Sequence, residues 1–173
     1  MQDLALITDK KVKVKFNEEC ISYSDSKSFA QHIGGTILSL DTFHGDNDTS
    51  LEVCVISDTP KPHINSFVNG GRCGGTIVNM VINKITEVFS KKYQNAPRLV
   101  QIIKENLAFV IKAVIDNPTF TSQSKDMLAT PISKVGFEYT ISPTLSKKLL
   151  ASNLSKIIEQ SIEKKEDKGA TKA

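Results

Sequence analysis

The chain has 173 residues, about the length of one domain. It carries 22 basic and 19 acidic residues, a formal net charge of +3, and 39% of its residues are apolar, which excludes a wholly disordered chain. Its longest apolar runs, near 76–82 and 107–111, are too short for a membrane helix of about 20 residues, so we expect no membrane partner. Three distant cysteines, Cys20, Cys54 and Cys73, fit neither a disulfide framework nor a zinc site and favour a reducing, intracellular compartment.

The first third of the chain predicts a strand and then a helix. Residues 11–16 alternate Lys with Val or Phe, and a period of two is typical of a half-buried strand. The polar residues 24–26 can cap a helix, and the spacing of four between Phe29, Ile33 and Ile37 predicts that helix. The glycine pair 34–35 marks its end or a bend.

The middle of the chain predicts, in order, two strands, two helices and a central strand, at 51–57, 63–69, 76–93, 98–104 and 107–115. Apolar residues cover more than one stripe of the first helix, so we expect it to be buried on several sides, with Thr76 as its N-cap. The last strand is a dense apolar run with one Lys, which is typical of a strand buried on both faces.

The last third of the chain predicts a long loop, a strand and a long helix. Residues 119–134 lack periodicity, and a loop of that length in a compact domain is usually functional or mobile. Residues 137–141 alternate like a strand, and apolar residues at helical spacing predict one helix over 143–165. A polar tail, 167–173, is expected to be disordered. This order of elements indicates an α+β or mixed α/β fold.

Two segments could bind an anion. Gly70 and Gly75 have the offset of a phosphate-binding P-loop, but the required Lys is missing, so we reject nucleotide binding by that motif. The glycines can still expose amides at a helix start, or simply allow a tight turn. Residues 84–112 hold six bases and two acids, which suits either contact with phosphate or the solvated side of a helix.

The loop after the central strand offers side chains that could contact an anion. Gln123 is a neutral donor, and Lys125 is a mobile point charge suited to a terminal phosphate. A solvated loop lysine is the plain alternative. No histidine or cysteine spacing predicts a metal site.

Three stretches, in chain order, resemble eukaryotic-type type II DNA topoisomerases. They are Val12-Lys-Val-Lys-Phe-Asn17, then Ser66-Phe-Val-Asn69 with Gly74-Gly-Thr76, and Asn117-Pro-Thr-Phe-Thr-Ser-Gln-Ser-Lys-Asp-Met-Leu128. The last resembles the loop that reads Gln-Thr-Lys in that family, with Ser124 in place of Thr. Ile77 stands where His is common, and Arg72-Cys73 is unusual. The divergence resembles that of a viral or protist enzyme.

The resemblance implies that residues 11–166 are a transducer domain, with 1–10 a flanking segment. The implied fold is α+β: a four-stranded sheet backed by helices, similar to a domain of a small-subunit ribosomal protein, with a left-handed βαβ crossover. The helix over 143–165 would be a lever. Lys125 would reach the γ-phosphate of ATP, bound with Mg²⁺ by a neighbouring ATPase domain, and Gln123 would assist.

The resemblance also implies partners. They are the ATPase domain and the DNA-cleavage core of the same full-length chain, a second copy in a homodimer, and DNA, which Lys91, Lys92 and Arg98 could face. The implied setting is the nucleus, or cytoplasmic replication sites for a viral enzyme. The nucleotide pocket and cleavage tyrosine of that family are missing from these 173 residues, so we expect no catalytic residue here and an inactive isolated fragment. Alternatives are the equivalent domain of a mismatch-repair or chaperone ATPase, or a stand-alone module that binds RNA or protein.

Overall fold

A computed structural model describes residues 2–8, 11–23, 25–94 and 96–170 of the chain. The helices are α1 (Gln2–Ile7), α2 (Ser26–Ile33), α3 (Thr76–Lys92), α4 (Leu99–Asn106), α5 (Pro143–Ala151) and α6 (Asn153–Ala170). The strands are β1 (Val14–Phe16), β2 (Glu19–Ile21), β3 (Thr36–His44), β4 (Ser50–Ser57), β5 (Ile64–Val68), β6 (Gly71–Arg72), β7 (Gly74–Gly75), β8 (Ala108–Val114) and β9 (Met127–Leu128). Along these residues no helix is both long enough and apolar enough to cross a bilayer.

The central sheet has the strand order β3-β4-β8-β5-β6. Its four long strands and its helical backing confirm the predicted sheet, with the two-residue β6 added at one edge. Neighbours are antiparallel except β5 and β8, which run parallel and are joined through α3 and α4. This is the connectivity of the expected βαβ crossover, whose left-handed sense stays a prediction.

Helices cover both faces of the sheet, and β8 shows how its residues divide between them. Phe109 and Ile111 point into the larger core, which α3 to α6 complete. Ala108 and Val110 point into a smaller core with Leu6 of α1 and residues of α2. Successive side chains of a strand face opposite ways, so the apolar run of β8 is what burial on both faces requires.

Local sequence explains the first helices. The Asp25 carboxylate accepts from the Ser28 amide at 2.8 Å, and the Ser28 hydroxyl lies against the Asp25 backbone, which completes a capping box for α2. Gly34 ends the helix, as predicted, and Ile37, which shared the helical spacing, lies in β3 instead. The flanking segment includes the helix α1, whose Leu6 is buried, while residues 9 and 10 lie outside the described residues.

Thr76 is not the N-cap of α3. Gly75 holds that position, and the Thr76 hydroxyl instead donates to the Leu128 carbonyl oxygen at 3.1 Å. Segment 137–141 is not a strand either. Phe137 and Tyr139 are buried in alternation, but no ladder pairs the segment within the described chain.

The predicted C-terminal helix is two helices, because Ser152 interrupts it. The Ser152 hydroxyl donates to the Leu149 carbonyl oxygen at 2.6 Å, and its backbone leaves the helical region at ψ 165°. A serine that bonds the preceding turn competes with the helix ladder. The backbone of α6 continues to Ala170, into the segment expected to be disordered, and residues 171–173 lie outside the described residues.

Candidate functional site

The long loop after β8 is an ordered hairpin rather than an irregular segment. The Ala129 amide donates to the Thr119 carbonyl oxygen at 2.8 Å, and the Thr121 amide donates to the Met127 carbonyl oxygen at 3.0 Å. Phe120 and Leu128 form an antiparallel bridge between these two bonds. The hairpin therefore presents a short tip, residues 122–126, beyond the end of the sheet.

The tip is a turn closed by its own polar groups. The Lys125 amide donates to the Ser122 carbonyl oxygen at 3.2 Å, and Lys125 has the left-handed φ of 57°. The Ser122 hydroxyl lies 2.7 Å from the Ser124 hydroxyl and donates to an Asp126 carboxylate oxygen at 3.0 Å. The hydroxyls of Ser124 and Ser122 hold the pKa of Asp126 below its usual value.

Lys125 and Gln123 are both exposed at this tip. The Lys125 ammonium lies 5.9 Å from the centroid of the Phe120 ring, a distance at the limit of a cation–π contact. The ion pairs found in residues 2–8, 11–23, 25–94 and 96–170 involve other bases. Asp126, the nearest acid in sequence, faces hydroxyls instead. The structure therefore shows no ion pair for Lys125 within the described part of the chain.

A glycine strap holds the hairpin to the start of α3. Strand β7 pairs in parallel with β9, and the Gly74 amide donates to the Asp126 carbonyl oxygen at 2.8 Å. A Cβ on Gly75 would lie 2.7 Å from the Leu128 backbone nitrogen, and Gly75 has φ 88°. Only glycine allows this approach and this backbone conformation without displacement. The two distant motifs, Gly74-Gly-Thr76 and the Lys125 loop, thus form one structural unit.

Asn69 holds the root of the same loop, and the sequence reasoning gave it no role. Its carboxamide nitrogen donates to the Ile115 carbonyl oxygen, and its carboxamide oxygen accepts from the Ile115 amide, both at 2.9 Å. An Asn directly after a strand, followed by Gly, is a turn pattern. That pattern could have marked the residue, but its long-range partner could not have been read from the sequence.

The candidate DNA-contacting bases lie around the connection between α3 and α4. Lys91 and Lys92 end α3, and Arg98 is the N-cap of α4 with φ 51°. The Lys92 ammonium lies 4.7 Å from the Tyr93 ring centroid and 3.9 Å from a Glu159 carboxylate oxygen. Tyr93 first, and then Glu159, raise the pKa of Lys92 above its usual value.

The bases of span 84–112 do not form one surface. Lys112 follows Ala108 and Val110 on alternate positions of β8 and so faces the sheet side opposite α3. Lys91, Lys92 and Arg98 lie instead on the side of the sheet that α3 and α4 cover, and their contact with DNA stays a prediction.

The cysteines are free thiols, and two of them are buried. Burial, and then Glu52, raise the pKa of Cys54 to about 12. Burial also raises the pKa of Cys73. Within the described residues no group of three or more His, Cys, Asp or Glu side chains could hold a metal ion.

Comparison with known proteins identifies the protein family of this chain. The chain is homologous to the ATPase and transducer region of type II DNA topoisomerases, as the resemblance of its motifs predicts. The family model described as DNA gyrase B matches residues 5–173, so the chain belongs to the DNA gyrase B family.

Individual relatives agree with this assignment. DNA topoisomerase 2 of Candida albicans is 33% identical over 119 residues, which cover 62% of this chain and 8% of that protein. DNA topoisomerase 2 of Acanthamoeba polyphaga mimivirus is 28% identical over 169 residues, which cover 88% of this chain and 13% of that protein. The chain therefore spans a small part of the length of these relatives.

A solved structure shows the same fold. The crystal structure of the ATPase and transducer domains of DNA topoisomerase II from Balamuthia mandrillaris matches with a TM-score of 0.69 and 23% identity. The match covers 95% of this chain and 43% of that one.

Proposed function

We propose that this chain is the transducer of an ATP-dependent type II DNA topoisomerase. It couples ATP binding and hydrolysis in a neighbouring ATPase domain to DNA-gate opening and strand passage. One observation carries the proposal: the hairpin tip after β8 presents the exposed Lys125 and Gln123 on a rigid support, and Asp126 is engaged by hydroxyls rather than by Lys125.

The chemistry of this tip suits a terminal phosphate. A lysine ammonium donates in three directions and pairs with a phosphate as a point charge, and a glutamine amide adds a neutral donor. The ATP–Mg²⁺ complex, held mainly by the ATPase domain, supplies the γ-phosphoryl group that is hydrolysed. Of the nucleotide's phosphoryl groups, Lys125 contacts only this one. Because ADP lacks it, the contact favours the ATP-bound arrangement of the domains over the ADP-bound one.

The size of this preference follows from the contact. A hydrogen bond to a charged group contributes about 1.5–3 kcal/mol, a factor of roughly 10 to 150 in an equilibrium. That is the range of an ordinary coupling free energy between two sites. One ammonium at position 125 is therefore sufficient to bias a two-state arrangement.

A movement of the Lys125 hairpin is transmitted along the chain to the C-terminal helices. After β9 the chain passes Gly136, whose carbonyl oxygen accepts from the Asp46 amide at 3.2 Å and from the Thr49 hydroxyl at 3.1 Å. It then enters α5, where the Lys148 ammonium donates to the Leu38 carbonyl oxygen of β3 at 2.8 Å. Helices α5 and α6 carry the movement toward the DNA-cleavage core of the full-length homodimer.

The decisive experiment is Lys125→Ala in the full-length enzyme. We expect ATP hydrolysis to be lost or reduced at least about tenfold, while ATP-independent DNA cleavage is largely retained. Lys134→Ala, an exposed lysine in the turn after the hairpin, is the matched control and should change neither activity. Unchanged hydrolysis in Lys125→Ala would leave this lysine as a solvated loop residue.

Two further parts of the proposal have tests of their own. The isolated chain should neither hydrolyse ATP nor cut DNA, and turnover by a pure preparation that disappears in Lys125→Ala would contradict this. A triple variant with Lys91→Glu, Lys92→Glu and Arg98→Glu should bind DNA more weakly in a low-salt titration. The slope of log K against log salt concentration should become shallower by roughly 0.9 for each lost phosphate contact. An unchanged affinity would remove DNA contact from the proposal.

The alternative functions are separated by the neighbouring coding sequence. An ATPase domain directly upstream supports a topoisomerase and equally a mismatch-repair or chaperone ATPase. A DNA-cleavage domain downstream supports the topoisomerase alone. A free-standing reading frame would favour a binding module.

A further inference from the structure

We propose that Asn69 is a positioning residue for Lys125. Its carboxamide clasps the end of β8 and fixes the direction in which the Lys125 hairpin leaves the sheet. The proposal rests on the function proposed above, since it concerns how the sensing lysine is aimed.

The clasp, by which we mean the two hydrogen bonds between the Asn69 carboxamide and the Ile115 backbone, extends the pairing of β5 and β8 beyond its last ladder residues. In the parallel ladder of β5 and β8, Val68 and Ala113 are the last partners. The Asn69 amide donates to the Ala113 carbonyl oxygen at 2.9 Å. The Asn69 side chain then hydrogen-bonds both the amide and the carbonyl oxygen of Ile115, each at 2.9 Å, as the backbone of a further strand residue would. Backbone position is thereby fixed two residues beyond the ladder.

The chain reverses immediately after this point. Asn117 has the left-handed φ of 45°, and Pro118 cannot donate a backbone hydrogen bond. The next fixed point is the neck of the hairpin, where the Thr119 amide donates to the buried Thr130 hydroxyl at 2.8 Å. Only residues 116–118 separate the clasp from the neck, so the clasp sets where the hairpin starts.

Asparagine is specifically suited to this task. It has a donor and an acceptor on one short, planar group, which the two opposite backbone groups of Ile115 require. It also tolerates the left-handed conformation, and Asn69 has φ 48°. Asp keeps the acceptor and loses the donor, whereas Gly keeps the backbone conformation and loses both.

The experiment uses the full-length enzyme with four variants. Asn69→Gly removes the clasp without adding backbone strain, and Asn69→Asp removes only the donor. Lys125→Ala and the double variant Asn69→Gly/Lys125→Ala complete a double-mutant cycle. Asn106→Ala is the matched control, because the Asn106 carboxamide also donates to a backbone carbonyl oxygen, that of Ile102, at 2.8 Å.

We expect Asn69→Gly to lower ATP turnover by roughly tenfold, since small misplacement of a positioned group costs up to about a hundredfold. Asn69→Asp should lie between this variant and the wild type, and Asn106→Ala should match the wild type. Asn69→Gly should cause less than about a twofold further loss when Lys125 is already Ala, because the residue acts through that lysine.

The outcomes separate the two proposals. If Lys125→Ala alone leaves hydrolysis unchanged, the proposed function fails. If Lys125→Ala lowers hydrolysis but Asn69→Gly does not, or lowers it equally with and without Lys125, the positioning role of Asn69 is overturned and the proposed function stands. A thermal unfolding scan of each variant accompanies the cycle, and a loss of activity that only follows a lowered melting temperature also overturns the positioning role.

Discussion

Substituting Gly75 tests whether the glycine strap holds the Lys125 hairpin. Gly75→Ala introduces a methyl group 2.7 Å from the Leu128 backbone nitrogen, whereas real Cβ atoms stay beyond 3.0 Å. Leu128 is backbone-paired and 3% exposed, so it cannot move aside alone. Gly70→Ala is the matched control, because Gly70 has a similar φ of 78° but nothing within 4 Å of the new Cβ.

The expected destabilisation can be divided into two parts. Both variants place Ala at a positive φ, which costs roughly 1–2 kcal/mol in the left-handed region and at least as much at Gly75, whose ψ of −137° lies outside that region. Both variants also gain the same small unfolded-state entropy effect. Gly75→Ala also separates β7 from β9 and breaks the bonds from Gly74 to Asp126 and from Thr76 to Leu128. Two hydrogen bonds at about 1 kcal/mol each make it less stable than Gly70→Ala by at least about 2 kcal/mol.

Urea unfolding followed by circular dichroism measures this difference directly, with equal m-values as the condition for comparing the two variants. Hydrogen exchange at the Gly74 amide reports the local opening: protection should fall in Gly75→Ala and persist in Gly70→Ala. Equal free energies of unfolding for the two variants would refute the reasoning that close approach and backbone conformation together require glycine more strictly at position 75 than at position 70.

Three further predictions follow from burial and hydrogen bonding. Alkylation of the native chain at pH 8 should label Cys20 and leave Cys54 and Cys73 unmodified, since burial raises the pKa of both; rapid labelling of Cys54 would contradict the packing of β4. The pKa of Asp126, followed by NMR, should lie below the usual value of an aspartate and rise in Ser124→Ala and Ser122→Ala. Because the folded-state pKa is lowered, the ionised Asp126 carboxylate stabilises the hairpin above its unfolded-state pKa, and this contribution is lost as the pH falls through the folded-state pKa. An unshifted pKa would contradict the hydrogen bonding of Asp126 by the two serine hydroxyls. Tyr139→Phe should change stability by less than about 1 kcal/mol, because the buried Tyr139 hydroxyl has no hydrogen-bond partner among the described residues. Tyr139→Ala should cost about 3–5 kcal/mol, since it empties a fully buried site, and equal losses in the two variants would refute this.

Local patterns predicted those elements whose determinants are local. Asp25 and Ser28 cap α2 within one turn, Gly34 ends it, and the dense apolar run at 107–115 becomes the central strand β8. Strand β3 was missed because its Ser and Asp residues interrupt the apolar pattern, and a register shift between Ile37 and Ser39 breaks the alternation.

Features that depend on distant partners could not be predicted from pattern. Residues 137–141 alternate in burial as a strand would, but no strand of the described chain pairs with them, so alternation identified the buried side chains and not the hydrogen bonding. The hairpin around Lys125 is ordered by β7, about 50 residues earlier in the chain. The roles predicted for Lys125 and Gln123 rest on the family resemblance, whereas the hydrogen-bond partner of Asn69 is Ile115, 46 residues away.

The most direct test of the sensing role is a structure of the full-length enzyme with a non-hydrolysable ATP analogue. We expect the Lys125 ammonium within about 3.2 Å of a γ-phosphate oxygen, with the bonds of Asn69 to Ile115 and of Gly74 to Asp126 retained. A Lys125 side chain that still lies over the Phe120 ring, or that points away from the bound nucleotide, would contradict the proposed sensing of ATP by this domain.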